Sequence, residues 1–186
     1  MRFPLKQLLL MPLLIGLVSC EHSSSGIEPN GKIQAPEVWQ SHLKTVKLAD
    51  DFHAVCGQTI YVPIYSHIYH EDPSKMTLLA GTMSIRNTDP KSTIYLTSIA
   101  YHGTDGKLVD ELCKLPIVLE PMATADIVVP RRHTQGGSGA NFLVKWVADK
   151  KVSPPLTEAV MISAGASRNL SFVSRGIVTE SIAGDK

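Results

Sequence analysis

Within Asn141–Ala148 (NFLVKWVA), Phe142, Val144 and Trp146 fall on one side of a period of two, and Asn141, Leu143 and Lys145 fall on the other. The run from Leu79 behaves alike, with Leu79, Met83 and Ile85 opposed to Thr82, Ser84 and Arg86. Such a period turns one set of side chains to a core and the other to water only if the backbone is extended. From Gln58 onward, short runs rich in Val, Ile, Thr, Tyr and Phe are cut by Gly, Pro, Asn and Asp clusters. Strands are expected near 59–65, 76–87, 94–102, 107–113, 124–129, 141–148, 158–164 and 170–178. With no long helical period between them, these predict an all-β fold of about eight antiparallel strands, a sandwich or a barrel.

Turn chemistry agrees with this. In HGTDGK (102–107), Asp105-Gly106 supplies residues that tolerate positive φ, as a tight hairpin requires. Pro116, Pro121 and Pro130 punctuate 115–130, which suits an edge strand between turns, because proline cannot donate to an inner ladder. At 186 residues, one domain with short appendages is expected. The formal net charge of +1 leaves no electrostatic footprint for nucleic acid and no polybasic patch for anionic lipid.

The N-terminus has a different character. Arg2 and Lys6 flank a basic start, LLLMPLLIGLV (8–18) is apolar, and Leu17-Val18-Ser19-Cys20 closes the run. The run falls short of the roughly 20 residues that a spanning helix needs, and Pro12 and Gly16 weaken it further, so it reads as a secretion signal. LVSC resembles the lipobox of bacterial lipoproteins. That resemblance implies cleavage before Cys20, a diacylglyceryl group on its thiol and acylation of the new amine. Two or more chains at about 0.8 kcal/mol per buried CH₂ make a durable anchor. Glu21, rather than aspartate, follows the cysteine, which favours the outer over the inner membrane without deciding between them. The expected organisation is a leader over 1–19, a lipidated N-terminus with flexible tether and arm over 20–52, and the sandwich over 53–182. The stretch 35–52 suits either a short amphipathic helix or an irregular arm laid on the domain.

Two cysteines remain. Cys56 and Cys113 have one way to pair, and an oxidising periplasm permits it; the alternative is two buried thiols acting as small apolar residues. No CxxC is present, which argues against a cysteine-based redox or zinc site.

Six blocks bring a family into view: YVPIYSHIYH (61–70), SIRNTD (84–89), GKLV (106–109), LEPMA (119–123), GGSGANF (136–142) with Trp146, and PLTEAVMI (155–162). Together they resemble the bacterial domain of unknown function family 3124, over about 58–178. The succession of RNTD, an apolar strand, a GxDGK turn and LEPMATADIVV also resembles immunoglobulin-like domains of bacterial envelope proteins, which implies an immunoglobulin-like β-sandwich of about eight antiparallel strands. The family resemblance implies no activity, and fold alone does not carry function.

The residues themselves suggest where contact is made. If 61–67 is extended, Tyr61, Pro63, Tyr65 and His67 share an outer face, and with Tyr69 they offer rings, donors and acceptors to a partner. RRHTQGGSGAN (131–141) joins Arg131 and Arg132 to Gly136, Gly137, Ser138 and Gly139, with Asn141 at its end. That composition suits an anion-binding loop of backbone amides, though no Walker lysine follows. His67 and His70 raise a copper or zinc alternative, with His102, His133, Asp72 or Asp89 as further ligands, if the strand turns near Ile68–Glu71. Ser66 adjoins His67, but strand neighbours point apart, and no spaced pair of carboxylates marks an acid and a base. The expectation is a noncatalytic, cofactor-free envelope module that binds a protein or a small ligand.

Overall fold

The computed structural model describes residues 32–163 and 169–182. The expected leader, Cys20 and most of the expected tether lie outside the described residues, as does the end of the strand expected at 158–164. Along the chain run a helix α1 (Pro36–Trp39) and strands β1 (Lys44–Thr45), β2 (Cys56–Pro63), β3 (His67–His70), β4 (Asp72–Leu78), β5 (Ala80–Arg86), β6 (Ile94–His102), β7 (Leu108–Glu111), β8 (Ile117–Leu119), β9 (Thr124–Val129), β10 (Asn141–Ala148), β11 (Leu156–Ser163), β12 (Leu170–Arg175) and β13 (Ile177–Ile182). No helix among the described residues is long and apolar enough to cross a membrane.

One sheet has the order β1-β8-β6-β10-β2-β13, with β7 also paired to β6, and a second has the order β12-β11-β5-β9. Strands β3 and β4 form a separate hairpin. The all-β sandwich expected from the alternation is the architecture found. The chain changes sheet between β5 and β6, β8 and β9, β9 and β10, β10 and β11, and β12 and β13, so sequence neighbours face each other across the core. Phe142, Val144 and Trp146 lie inward beside Ile60 and Val62 of the adjacent β2. Met83, Ile85, Ile127 and Met161 of the second sheet complete the same core. Each of these side chains is at most 2% exposed, so each contributes on the order of 2 kcal/mol of transfer free energy.

Strict alternation fails at informative places. On β6, Ile94 and Leu96 point inward, and so do Ile99 and Tyr101, which lie out of phase with them. A β-bulge resets the phase: Lys145 pairs with Ser98 and Trp146 with Leu96, so Thr97 is the extra residue. The single strand expected over 76–87 is two, because the chain leaves the hairpin at Leu79 to enter the second sheet, with Leu79 fully buried at the junction. The strand expected over 59–65 ends at Pro63. The segment 115–130 holds two strands, of which β8 lies within the first sheet and only β9 is an edge. The stretch 35–52 forms one helical turn followed by the two-residue β1.

The two open sides of the sandwich are closed differently. Beside β9, the Gln40 side chain accepts the Asp126 N–H at 2.9 Å and donates to the Asp126 carboxylate at 3.3 Å, while His42 Nε2 donates to the Thr124 carbonyl at 2.9 Å. The arm thus occupies an edge that would otherwise show unpaired backbone. On the far side the expected strand over 170–178 bends at Gly176, so that β12 is the edge of one sheet and β13 the edge of the other. A Cβ at Gly176 would lie 2.1 Å from Thr157 Oγ1 and 2.7 Å from Ile60 Cγ2, so this corner admits no side chain. Gly176→Ala is expected to destabilise the domain by about 1–3 kcal/mol, the range for overpacking, read as a lowered urea midpoint with an unchanged slope.

Candidate functional site

The expected tyrosine-histidine row is not one face. Tyr61 lies on the outer face of the first sheet, half-buried between Leu143 of β10 and Ile177 of β13. Past Pro63 the chain leaves the sheet, and Tyr65 turns edge-on to Phe172 of β12, with ring centroids 5.7 Å apart. His67 is buried at 9% exposure with its ring 5.1 Å from that of Tyr69, and neither ring nitrogen has a hydrogen-bond partner. The row breaks because Ser66 and His67 are both buried where alternation would expose one of them. Ser66 bridges the two parts of the fold, its N–H donating to the Gly137 carbonyl and its carbonyl accepting from Leu79 N–H.

Only the end of the block stays in solvent. Tyr69 pairs across the β3–β4 hairpin with Met76, and the two are 52% and 51% exposed. Around them, Lys75 pairs with Glu71 and lies 3.7 Å from Asp72, and Glu71 takes a positive φ of 65° at the turn. The hairpin thus presents an aromatic ring and a thioether, both of which adapt to a partner surface, within a rim of charges.

The glycine-rich loop is an internal buttress. Tyr101, fully buried, reaches Ser66 Oγ with its hydroxyl at 3.3 Å and packs against Phe142 and His133. Gly136 lies over that hydroxyl, where a Cβ would come within 1.8 Å. Thr104, from the turn after β6, clamps the loop from the other side: its Oγ1 donates to the Gly136 carbonyl at 2.9 Å and accepts from Gly139 N–H at 2.8 Å. Gly137 N–H is turned back to the Thr134 carbonyl. With the Gly137 and Gly139 amides committed inside the protein, the loop is not the open anion cradle that its composition implies. Ser138 is half-buried in the same loop, and Asn141 opens β10 between Pro63 and His102. Arg131 and Arg132 are both exposed, and Arg132 borders a shallow cleft of about 580 Å³ with Lys32, Asp110, His133 and Gln135.

The histidine-centred metal site does not assemble. His67 faces inward while His70 is exposed at the hairpin end, and no three His, Cys, Asp or Glu side chains converge among the described residues. The two expected aspartate ligands have local tasks. The Ser153, Lys91 and Ser92 amides bind Asp89 and lower its pKa; the Ser74 hydroxyl and amide do the same to Asp72. The adjacent Ser66 and His67 also make no nucleophile-base pair, since the Ser66 hydroxyl meets Tyr101.

Cys56 and Cys113 are not bonded to each other. Cys56 Sγ donates to the Lys150 carbonyl, whereas buried Cys113 donates to the carbonyls of Leu96 and Leu115. Strand β10 lies between the strand of Cys56 and that of Leu96, a separation of roughly 10 Å in the sheet, beyond the ~7 Å Cα limit for a disulfide. Burial first, then the charges of Glu111 and Glu37, pushes the Cys113 thiol up to about 12, and burial raises Tyr101 above its usual range. Both groups hold their protons more tightly in the folded than in the unfolded chain. Their contribution to stability is whole below the unfolded thiol range near pH 8.5 and is lost as pH climbs toward 12.

Residues that composition did not single out carry much of this architecture: Gln40, Met76, Tyr101 and Thr104. Thr104 stands inside the HGTDGK turn, which was legible as a turn but not as a clamp. The family model described as "Protein of unknown function (DUF3124)" matches residues 57–179. No curated protein matches the chain. Among solved structures, the crystal structure of Thermotoga maritima 1070 aligns at 12% identity and a TM-score of 0.41, covering 64% of this chain and 92% of that one.

In a Cys20→Ser background, a thiol reagent at pH 8 should modify Cys56 in the native protein and both remaining cysteines after denaturation. The thermal midpoint should fall above pH 9, and less steeply in Cys113→Ala.

Proposed function

The chain belongs to the DUF3124 family, and from that premise we propose that it is a noncatalytic docking module, lipid-anchored in the bacterial envelope and facing the periplasm. The observation that carries this reading is the exposed Tyr69–Met76 pair on a hairpin that adds to neither sheet of the sandwich. A buried root and an adaptable apolar tip within a charged rim are the features of a protein contact, in which aromatic anchors dominate affinity. The Arg132 cleft is a second, more polar surface, suited to the edge of the same contact.

The anchor rests on the LVSC pattern at Cys20 and its short apolar leader. From it, the hairpin works at a membrane surface, with an envelope protein as its partner.

Two experiments bear on this. Cys20→Ser should abolish incorporation of labelled fatty acid and shift the protein from the membrane fraction; label retained on the variant would dispose of the anchor. A photo-crosslinking residue at position 69 should capture one envelope protein reproducibly. Tyr69→Ala with Met76→Ala should weaken that partner's binding by at least about tenfold with the urea midpoint unchanged, and full binding by the double variant would refute the docking role.

A further inference from the structure

The outer face of the second sheet is two-toned. Across its four strands in register runs an apolar row, Val128, Thr82, Val160 and Val173. Two residues away lies a polar row, Asp126, Ser84, Glu158 and Arg175. Beyond the apolar row, Ala80 pairs with Ile162 and extends it. Val173 is 55% exposed, Ile162 48% and Val160 37%. Beta-branched side chains standing together in water on one sheet face mark a surface that another surface covers.

Charge decides what covers it. Glu158 is tied to Arg86 at 3.2 Å, and Asp126 is held at the β9 edge by Ser84 and Gln40. Arg175, at the opposite edge, is exposed and has no ion-pair partner among the described residues. The polar row therefore begins with an anion and ends with a cation. A two-fold axis parallel to the strands reverses the strand order while keeping each row opposite its own kind. It sets Arg175 over the second copy's Asp126, Val173 over its Val128, Val160 over its Thr82, and the bulky Ile162 over its small Ala80. A two-fold axis across the strands does worse, because with the apolar rows superposed it lays the charged row on Ile162. We infer that the outer face of β12-β11-β5-β9 is a self-complementary surface that pairs with a second copy of this chain, β12 lying over β9.

Four strands at about 4.8 Å and three or four rows at about 7 Å give a footprint on the order of 400 Å² per copy. That is about half the area per partner of a standard interface, so the pair is weak and is best trapped where the protein works. The face is separate from the Tyr69 hairpin, so the two assignments succeed or fail independently.

The test uses two differently tagged full-length copies co-expressed in cells, both with Cys56→Ser, one with Val173→Cys and the other with Val128→Cys. A bismaleimide reaching about 10 Å, the spacing of stacked sheets, is applied to intact envelopes. A cross-linked species carrying both tags is expected, with at least about fivefold less product from Val173→Cys alone; adding Val160→Arg should cut the mixed product at least about tenfold while the urea midpoint holds. Absence of the mixed species overturns the proposal. So does equal self-linking of Val173→Cys, which selects the other axis, or a product in which a different protein replaces the second copy.

Discussion

The inward side chains of β10 can be buried because that strand is hydrogen-bonded along both edges, to β2 and to β6. An extended backbone carries a donor and an acceptor at nearly every residue, and burying them unpaired costs more than Phe142, Val144 and Trp146 return by leaving water. The ladder is therefore the precondition of the core. It also sets the problem the rest of the chain solves, since a sheet paired in its middle must end somewhere. The short β1 and β7, the Gln40 arm along β9 and the bend at Gly176 are four answers to that problem.

Those endings govern where the protein can make contacts. The arm covers one side with side-chain amide and imidazole groups, and the second sheet keeps its apolar outer rows uncovered. The β3–β4 hairpin joins neither sheet, so past His67 and the half-buried Ile68 its β3 side chains stand in solvent. Contact surfaces thus arise where the requirement for paired backbone is met without covering the side chains above it.

Local periodicity made much of the fold legible. The bounds of β9 and β10 follow directly from alternation and turn residues, and those of β6 from its β-rich composition ending at Gly103. What stayed hidden depends on contacts distant in sequence. Nothing near Thr97 announces a bulge, since its cause is the demand that Ile99 and Tyr101 meet the same core as Leu96. The row from Tyr61 to His67 was legible as a pattern, yet its meaning changed once Ser66 was called on to hold Gly137 and Leu79. GGSGANF was legible as a site of close approach, and the approach is real. What approaches is Tyr101 of the same chain, a tyrosine whose inward position depends on the bulge. Cysteine count permitted a bond that one intervening strand forbids.

The arm along β9 has a mechanical consequence. A pull applied at residue 32 meets Ile33 first, then the paired hydrogen bonds of Gln40, then Leu43 and the two-residue β1. These are gripped in series, with few bonds sharing the load at any moment, so the arm yields contact by contact before tension reaches a core strand. In such a series the weakest contacts sit nearest the point of pull, and the ladder-bonded core strands come last.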